Sequence, residues 1–342
     1  MERLAGLSPA YFGLVMATGI VSLAGFMLGA DALAYGLFYL NIAQYLVLAV
    51  LYGVRAVRYP ARFFGDMAEH LVGPGYFTAV AATGILASQF LLLAGAARIS
   101  LVLWGVAVLL WLGLTYAIFT AFTIRAEKPT LDRGINGGWL LAVVATQALS
   151  VSSALLAARL GPPYQLELNL MALSAWLWGG MLYIWMISLI FYRYAFFRFS
   201  PGDLAPPYWI NMGAMAISTL AGACLILNAP DAPFLASLLP FLKGFTVLYW
   251  ATGTWWIPML LLLGVWRHLY KRFPLEYDPL YWGMVFPLGM YAAATLQMNE
   301  AMAFDFLAWL PPVFFFFAVL AWAATYFGML RRLLRSFASP AG

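Results

Sequence analysis

Charged side chains are scarce in this chain. Only 9% of its 342 residues are Asp, Glu, Lys or Arg, whereas soluble domains average about 25%. Hydrophobic residues make up 65% of the sequence, and the mean hydropathy is +0.88. This composition excludes an ordinary soluble domain and predicts an integral membrane protein. A hydrocarbon core ~30 Å thick requires roughly 20 apolar residues per helix, so a chain of this length supplies about ten spanning helices.

Thiols and imidazoles are also nearly absent. The single cysteine, Cys224, excludes a disulfide framework within the chain. The two histidines, His70 and His268, lie at the ends of apolar segments, and the acidic residues lie at segment ends or in connections. The sequence therefore offers the membrane interior no histidine pair for haem, no carboxylate cluster for a metal and no Ser-His-Asp set. We predict neither a cofactor nor an enzymatic activity.

Long hydrophobic runs fill most of the remaining sequence. They lack the alternation of a half-buried strand, and a helix satisfies all its backbone polar groups within its own segment. We predict an all-α integral membrane protein with a single transmembrane domain over residues 1–342. The ten predicted helices are about 9–29, 33–54, 71–94, 99–122, 138–158, 168–192, 207–228, 239–266, 279–299 and 307–330.

The basic residues are distributed unevenly between the two sides of these helices. Fifteen of the eighteen Lys and Arg residues lie near the termini or in connections that follow even-numbered helices. Only Arg98, Arg159 and Lys243 fall toward the other side. The positive-inside rule therefore predicts that both termini are cytoplasmic. Acidic residues share the same connections, so topology accounts for the basic charge and no nucleic-acid partner is expected.

A twelve-residue phrase recurs at the start of the odd-numbered helices. PAYFGLVMATGI (9–20) and PGYFTAVAATGI (74–85) share Pro, Tyr, Phe, Val and the closing Ala-Thr-Gly-Ile without a gap. Fainter copies are GGWLLAVVATQA (137–148), PPYWINMGAMAI (206–217) and PLYWGMVFPLGM (279–290). Each interval between copies holds two predicted helices. The recurrence predicts five helical hairpins with quasi-five-fold symmetry.

The odd and even helices differ in composition. Odd helices carry Gly, Ala, Ser and Thr, which allow close helix packing, whereas even helices are richer in bulky apolar residues. We predict odd helices around a central pore and even helices outside, facing lipid or another subunit. Alternatively, the small residues serve only to pack the helices together. The predicted pore-lining residues are Phe12, Thr18, Ala82, Thr83, Ala145, Thr146, Ala214 and Met215.

The ninth helix departs from the phrase. Phe286 and Pro287 stand where the first copy has Met16 and Ala17. Proline bends a helix because it removes a backbone hydrogen bond, and a ring turned toward a narrow apolar pore can block it by dewetting. Position alone leaves open that Phe286 is a core residue beside a proline kink.

The ten-helix plan, the opening PAYFGLVMATGI and the ninth-helix WGMVFPLGMYAAAT resemble the tellurite-resistance/dicarboxylate transporter family. That family includes plant slow anion channels, bacterial TehA, malic-acid transporters and sulfite exporters. The resemblance implies a homotrimer in the bacterial inner membrane, with a pore in each subunit. It assigns the gate to Phe286 and Pro287, and it places Ala17 opposite the ring. Met215 departs from the pattern, since other copies have Thr there.

Three functions remain open from the sequence. The first is channel-like conduction of small inorganic or organic anions, with membrane lipids as the other partner. The second is a proton-coupled C4-dicarboxylate or malate transporter, which the segment ATGTWWIPMLLLLGVWRH (251–268) resembles. The third is a sulfite or tellurite-related exporter. A tight dicarboxylate carrier is expected to present a bidentate Arg or converging helix N-termini. The spanning segments show no central Arg, so the residues favour a conduit.

Overall fold

A computed structural model describes residues 2–338, and this part of the chain is helical without a β-strand. Ten α-helices of fifteen residues or more dominate it, and we label them in chain order. They are α1 (Gly13–Met27), α2 (Asp31–Arg58), α3 (Phe77–Leu92), α4 (Ala97–Ile124), α5 (Leu141–Leu160), α6 (Gln165–Phe196), α7 (Ile210–Asn228), α8 (Leu239–Val265), α9 (Trp282–Met302) and α10 (Leu310–Ala338).

Short helices and turns occupy the connections. The short α-helices are Glu2–Ala5, Pro60–Met67, Leu131–Gly134 and Pro233–Ser237. A π-helix, Trp266–Tyr270, ends α8. Two 3₁₀ turns, Ala229–Asp231 and Asp305–Leu307, lie at the end opposite the termini. The remaining 3₁₀ turns precede the odd-numbered helices and are Pro9–Phe12, Gly73–Tyr76, Gly137–Leu140, Pro206–Trp209 and Pro279–Tyr281.

The described residues contain nine segments that are long and apolar enough to cross a membrane. They correspond to α1–α8 and α10. Helix α9 is absent from this set because Gln297, Asn299 and Glu300 in its last turns lower its hydropathy. Nine of the ten predicted helices are therefore apolar spans within the described residues, and the tenth, α9, has mixed polarity. The protein is a multi-pass helical membrane protein.

The even helices are longer than the hydrophobic runs that predict them. Helix α2 is Asp31–Arg58 against the predicted 33–54, and α6 is Gln165–Phe196 against 168–192. Hydropathy ends a run at the first arginine, whereas the helix continues because that arginine finds partners. Arg55 and Arg193 lie in the last turns of these helices, and both are buried.

The odd helices form the interior of the molecule. Helix α1 packs against α3, α3 against α5, α5 against α7, α7 against α9, and α9 back against α1, so the five close a cycle. In the apolar stretches of α1, α3, α5 and α7, 78% to 94% of the residues are buried, against 11% to 50% in the even helices. The even helices thus form an outer layer whose apolar side chains face outward.

All five copies of the phrase begin in a 3₁₀ turn that leads directly into an odd helix. In four copies a proline occupies one of the first two positions, where its missing N–H costs nothing because the first helical N–H groups lack an intrahelical partner. In the third copy the turn begins with two glycines, and Asn136 caps it by accepting from the Gly138 N–H at 2.8 Å. Different residues therefore produce the same start.

Each even helix is hydrogen-bonded to the odd helix of the next hairpin. The donor is an aromatic side chain in every case, and the last bond joins α10 to α1. The pairs are Tyr45 with the Thr83 hydroxyl (3.0 Å), Trp111 with Thr146 (2.8 Å), Trp176 with the Ser218 carbonyl (2.8 Å), Trp250 with Thr295 (3.0 Å) and Trp322 with Thr18 (3.0 Å). These bonds tie the outer layer to the interior around the whole cycle.

Candidate functional site

Two cavities lie in the interior of the cycle, and all five odd helices contribute to both walls. The larger cavity has a volume of about 40 Å³ and the smaller about 20 Å³. A single water requires roughly 10–15 Å³ on this measure, so the two hold a few waters at most. The smaller cavity lies at the N-terminal ends of the odd helices, and the larger lies along their C-terminal halves.

The walls are built from equivalent positions of the five phrase copies. The fifth position of each copy lines the smaller cavity: Gly13, Thr78, Leu141, Ile210 and Gly283. The twelfth position of each copy lines the larger cavity: Ile20, Ile85, Ala148, Ile217 and Met290. Positions three and seven residues further along continue the larger wall: Leu23, Ser88, Val151, Leu220 and Ala293, then Met27, Leu92, Leu155, Cys224 and Gln297. Spacings of three and four residues keep one helix face toward the axis.

Phe286 marks the boundary between the two cavities. Along α9 it is the last residue of the smaller wall, and Met290 begins the larger wall one turn later. Met16 and Ile20 divide α1 in the same way. The same phrase position holds small or branched residues in α3, α5 and α7, including Ala81, so the Phe286 ring, 1% exposed, is the largest side chain at this phrase position.

The neighbouring Pro287 is fixed by its contact with α7. A Cβ added at Gly213 would lie 2.6 Å from the Pro287 Cγ, so only glycine permits this approach of the two helices. Gly289 packs against Ile20 and Val21 of α1, where an added Cβ would lie 3.1 Å from a methyl group of Ile20. Pro287 therefore packs closely on α7, and Gly289 packs closely on α1.

The chemistry of the walls is apolar with a few neutral polar groups. Among residues 2–338, the lining of the two cavities includes the Thr78 and Ser88 hydroxyls, the Gln297 amide and the Cys224 thiol, and no Lys, Arg, His, Asp or Glu. The Thr78 hydroxyl donates to the Gly75 carbonyl at 2.7 Å. All five odd helices begin at the smaller cavity, so their positive dipole ends converge there. The described residues bring no three His, Cys, Asp or Glu side chains together as a metal site.

The structure assigns the cavity walls to a different helix face from the predicted one. Of the predicted gate and pore-lining residues, Phe286 lines a cavity, and the others are buried outside both described walls. Thr18, Thr83 and Thr146 bond to outer helices, as described above. Phe12 packs against the Tyr45 and Tyr52 rings of α2, and Met215 packs against Gly253 of α8.

The four predicted alanines are completely buried between helices. They are Ala17, Ala82, Ala145 and Ala214. They occupy the phrase position that follows Met16 and its equivalents, about 100° away around the helix at 3.6 residues per turn. This rotation explains why the alanines face away from the axis. Pro287 occupies the same phrase position, so it faces away from the axis as well.

Two buried arginines at the N-terminal end form matching clusters. Both were predicted to lie in connections between helices. Arg55 donates to the Ala5 carbonyl at 3.2 Å and to the Tyr76 hydroxyl at 3.1 Å, and it pairs with Asp66. Its guanidinium carbon lies 5.8 Å from the centre of the Phe63 ring. We call these residues the Arg55 clamp.

The Arg193 clamp repeats this arrangement two hairpins later. Arg193 donates to the Asp132 carbonyl at 2.9 Å and to the Tyr208 hydroxyl at 2.6 Å, and it pairs with Asp203 at 3.1 Å. Its guanidinium lies 5.1 Å from the centre of the Phe199 ring. Tyr76 and Tyr208 belong to phrase copies, so each clamp fixes the start of an odd helix, α3 or α7. The sequence signal for such a clamp is an arginine at the end of an even helix, followed by a tyrosine in the next copy of the phrase.

Asp203 and His70, both at this end, have lowered pKa values. Partial burial opposes ionisation of Asp203, but hydrogen bonds from Ser200 and the charge of Arg193 outweigh it and lower the pKa of Asp203. Burial, and then the Arg125 guanidinium, lowers the pKa of His70. The His70 ring stacks on Phe122 at a centroid distance of 4.3 Å. The first shift favours the Asp203 carboxylate and the second favours the neutral His70 ring, which are the forms present at neutral pH.

Comparison with known proteins agrees with this architecture. Residues 6–330 match the SLAC1 family, described as voltage-dependent anion channels. Two proteins of Methanocaldococcus jannaschii, both named uncharacterized transporters, are 25% and 24% identical over about nine-tenths of both chains. A membrane protein of Mycobacterium tuberculosis is 36% identical over 152 residues, which are 44% of this chain and 77% of the relative.

Proposed function

The chain belongs to the SLAC1 family of voltage-dependent anion channels, and from this premise we propose that it conducts small anions along the axis of its odd helices. The observation that carries the proposal is the pair of cavities in line, each lined by equivalent residues of all five phrase copies. Five hairpins in quasi-five-fold symmetry, with α9 counted among ten spanning helices, would place equivalent residues around one wall. The axis is the path, and the cavities are its two open stretches.

Phe286 is the proposed gate of this path. It lies at the turn of α9 where one cavity ends and the next begins, and the same phrase position holds small residues, Ala81 and Gly213, in two other odd helices. A hydrophobic constriction blocks ions by excluding water, without needing a charge. In our proposal Pro287, held by Gly213, fixes the backbone while the Phe286 ring moves toward the larger cavity to open the path. The closed ring explains why each cavity holds only a few waters.

The wall chemistry supports uncoupled conduction rather than a tight carrier. Hydroxyls, one amide and apolar side chains offer weak interactions, and a conducting site must be weak enough for the ion to leave. The five converging helix N-termini favour an anion at the smaller cavity in a conduit and in a carrier alike. A proton-coupled C4-dicarboxylate carrier would be served better by an arginine in the wall, and the two most buried arginines, Arg55 and Arg193, are engaged in their clamps.

The family membership and the charge distribution support a specific placement in the cell. Most Lys and Arg residues lie at the end that carries the two termini, so we propose that this end, with the smaller cavity, is cytoplasmic. The bacterial inner membrane is the proposed location. Homotrimers with one conduit per subunit are the proposed assembly, packed through the exposed even helices.

The test is anion flux in liposomes reconstituted with wild type and with Phe286→Ala. Removing the ring deletes the constriction, and flux should rise about tenfold or more, which corresponds to ~1.4 kcal/mol or more of barrier. Phe77→Ala is the matched control. Phe77 is also buried in an odd helix, but it packs on Phe119 of α4 at a ring distance of 6.0 Å, so its loss should not raise flux.

Two outcomes would contradict the proposal. Equal flux through wild type and a well-folded Phe286→Ala would remove Phe286 as the gate. Saturable malate uptake that collapses with the pH gradient, alongside no flux of chloride or nitrate, would replace the conduit by the coupled carrier.

A further inference from the structure

A carboxylate contacts the wall of the larger cavity at the C-terminal ends of the odd helices. The last set of wall residues toward the C-terminal ends of the odd helices includes Gln297 of α9 and Cys224 of α7. Gln297 donates from Nε2 to Glu300 Oε2 at 3.0 Å. Gln297 is thus the wall residue that contacts this side chain directly.

Fold stability does not account for an acid at this position. Glu300 lies in the last turn of α9 (Trp282–Met302), and a negative charge near a helix C-terminus is unfavourable because it faces the negative end of the helix dipole. Within residues 2–338, Glu300 forms no described ion pair with a cation. Its described partner is the Gln297 amide, which is itself part of the conduit wall.

The two ends of the conduit also differ in the sign of their charge. The end with the smaller cavity holds fifteen of the eighteen basic residues and eight of the thirteen acidic ones. The other end holds three basic and five acidic residues, and it is therefore net negative. Its charged residues are Asp31, Arg98, Arg159, Glu167, Asp231, Lys243, Glu300 and Asp305. Of these, Glu300 contacts the wall of the larger cavity.

We propose that Glu300 is a charge filter at the outer mouth, which repels anions arriving from that side and makes conduction favour anion exit from the cytoplasm. The inference rests on the proposed function, because it needs anions to travel along the axis. A charge at a narrow mouth with low-dielectric walls acts strongly, since field lines are focused there and change the local ion concentration. The basic opposite end concentrates anions at the cytoplasmic mouth, so the two charges act in the same direction.

The experiment measures anion flux in each direction through Phe286→Ala protein, which supplies a conducting parent, with and without Glu300→Gln. Proteolysis of a C-terminal tag reports the orientation in liposomes of uncharged lipid. At low salt, Glu300→Gln should raise chloride flux that enters from the Glu300 side by about two- to tenfold, a modest effect for focused charge. The increase should vanish at ~1 M salt, where the Debye length is ~3 Å.

Asp305→Asn is the matched control, because it removes an exposed carboxylate from the same end. Its effect should be clearly smaller than that of Glu300→Gln, whereas Glu300→Asp should retain the asymmetry. Equal flux in both directions before and after Glu300→Gln, through a parent that conducts, overturns the filter alone. A Phe286→Ala parent that passes no anion overturns the conduit, and the filter fails with it.

Discussion

The two ends of the odd helices are built differently. At the N-terminal end, five 3₁₀ turns start the helices, the two arginine clamps hold α3 and α7, and the enclosed cavity is small. At the C-terminal end, the larger cavity is lined mainly by single apolar side chains such as Leu23 and Leu155, and Glu300 contacts its wall. One end is fixed by buried ion pairs, and the other by packing and by hydrogen bonds between neutral groups, such as Asn228 donating to Asn169 at 2.8 Å.

This difference indicates which end of the odd helices rearranges at the lower cost in free energy. Rearranging the N-terminal end requires breaking hydrogen bonds to buried charged groups, which costs more than exchanging apolar contacts. The Phe286 ring lies between the two ends and has the larger cavity on its compliant side. Opening toward that side leaves the fixed end intact, so the comparison supports a gate that moves as a side chain rather than by separation of helices.

The largest expected effect is a renewed block of anion flux by a ring placed in the larger cavity. In a Phe286→Ala background, Ala293→Phe should reduce anion flux about tenfold or more, because Ala293 lines the larger cavity and its new ring refills the axis there. Ala301→Phe, in the last turn of α9 and outside the described cavity walls, is the control. Flux that persists with Ala293→Phe would show that the larger cavity is not part of the path.

The next effect concerns stability at the fixed end. Arg55→Met and Arg193→Met each break a buried hydrogen-bonded ion pair, and each should destabilise the protein by about 2–3 kcal/mol, less than a fully buried pair because both carboxylates are partly exposed. Thermal unfolding in detergent gives the comparison. Arg98→Met, which removes an exposed arginine from the opposite end, should change the midpoint little. An equal loss in all three variants would contradict the distinction between the ends.

A smaller effect separates two glycines of the odd helices. Gly213→Ala places a Cβ 2.6 Å from the Pro287 Cγ, and overpacking of this kind costs about 1–3 kcal/mol. Gly283→Ala places its Cβ 3.5 Å from Ile210 and Pro207, which is ordinary contact, so the better helix propensity of alanine should leave stability unchanged or raise it by up to ~1 kcal/mol. The unfolding midpoints of the two variants measure the difference.

The smallest effect is a pH dependence at the fixed end. Because burial and Arg125 lower the pKa of His70, the unfolded chain binds its proton more readily than the folded protein does. The stability contributed by the neutral ring is therefore complete above its ordinary pKa, about 6.5, and is lost as the pH falls below it. His70→Phe keeps the ring stack on Phe122 and should lose less stability than wild type between about pH 7.5 and about pH 5.5.

The pH window also distinguishes His70 from Asp203. The lowered pKa of Asp203 makes its contribution complete above the ordinary carboxylate pKa, about 4, and it is lost only as the pH falls further. Asp203→Asn should therefore reduce stability equally at both ends of the His70 window. An identical pH response of His70→Phe and wild type would remove His70 as the titrating group.

Much of the fold follows from the sequence by simple physical arguments. Apolar runs of bilayer length predict the helices, and the repeated phrase marks the five that form the interior cycle. Phe286 was identified because it departs from the phrase in a helix where a proline follows it. The structure places it in the wall of the smaller cavity, and its gating role is a proposal.

The rotation of each odd helix could not be predicted in the same way. These helices are apolar all round, so they lack the polar face that reveals which side is buried. The repeated Ala-Thr pair suggested a hydrated wall, but the threonines serve as acceptors for Tyr45, Trp111 and Trp322 of the outer layer. An indole or phenol buried in a membrane requires such a partner, and only a packing arrangement reveals which hydroxyl supplies it.

The bond between Trp322 and Thr18 joins residues 304 positions apart, and this separation has a consequence for biogenesis. At about 5–20 residues per second, the ribosome needs roughly 15–60 s between the two. During that interval the first hairpin is already inserted while the position that α10 will occupy stands open to lipid. A nascent chain therefore closes its ring of hydrogen bonds between outer and inner helices only when its final segment arrives.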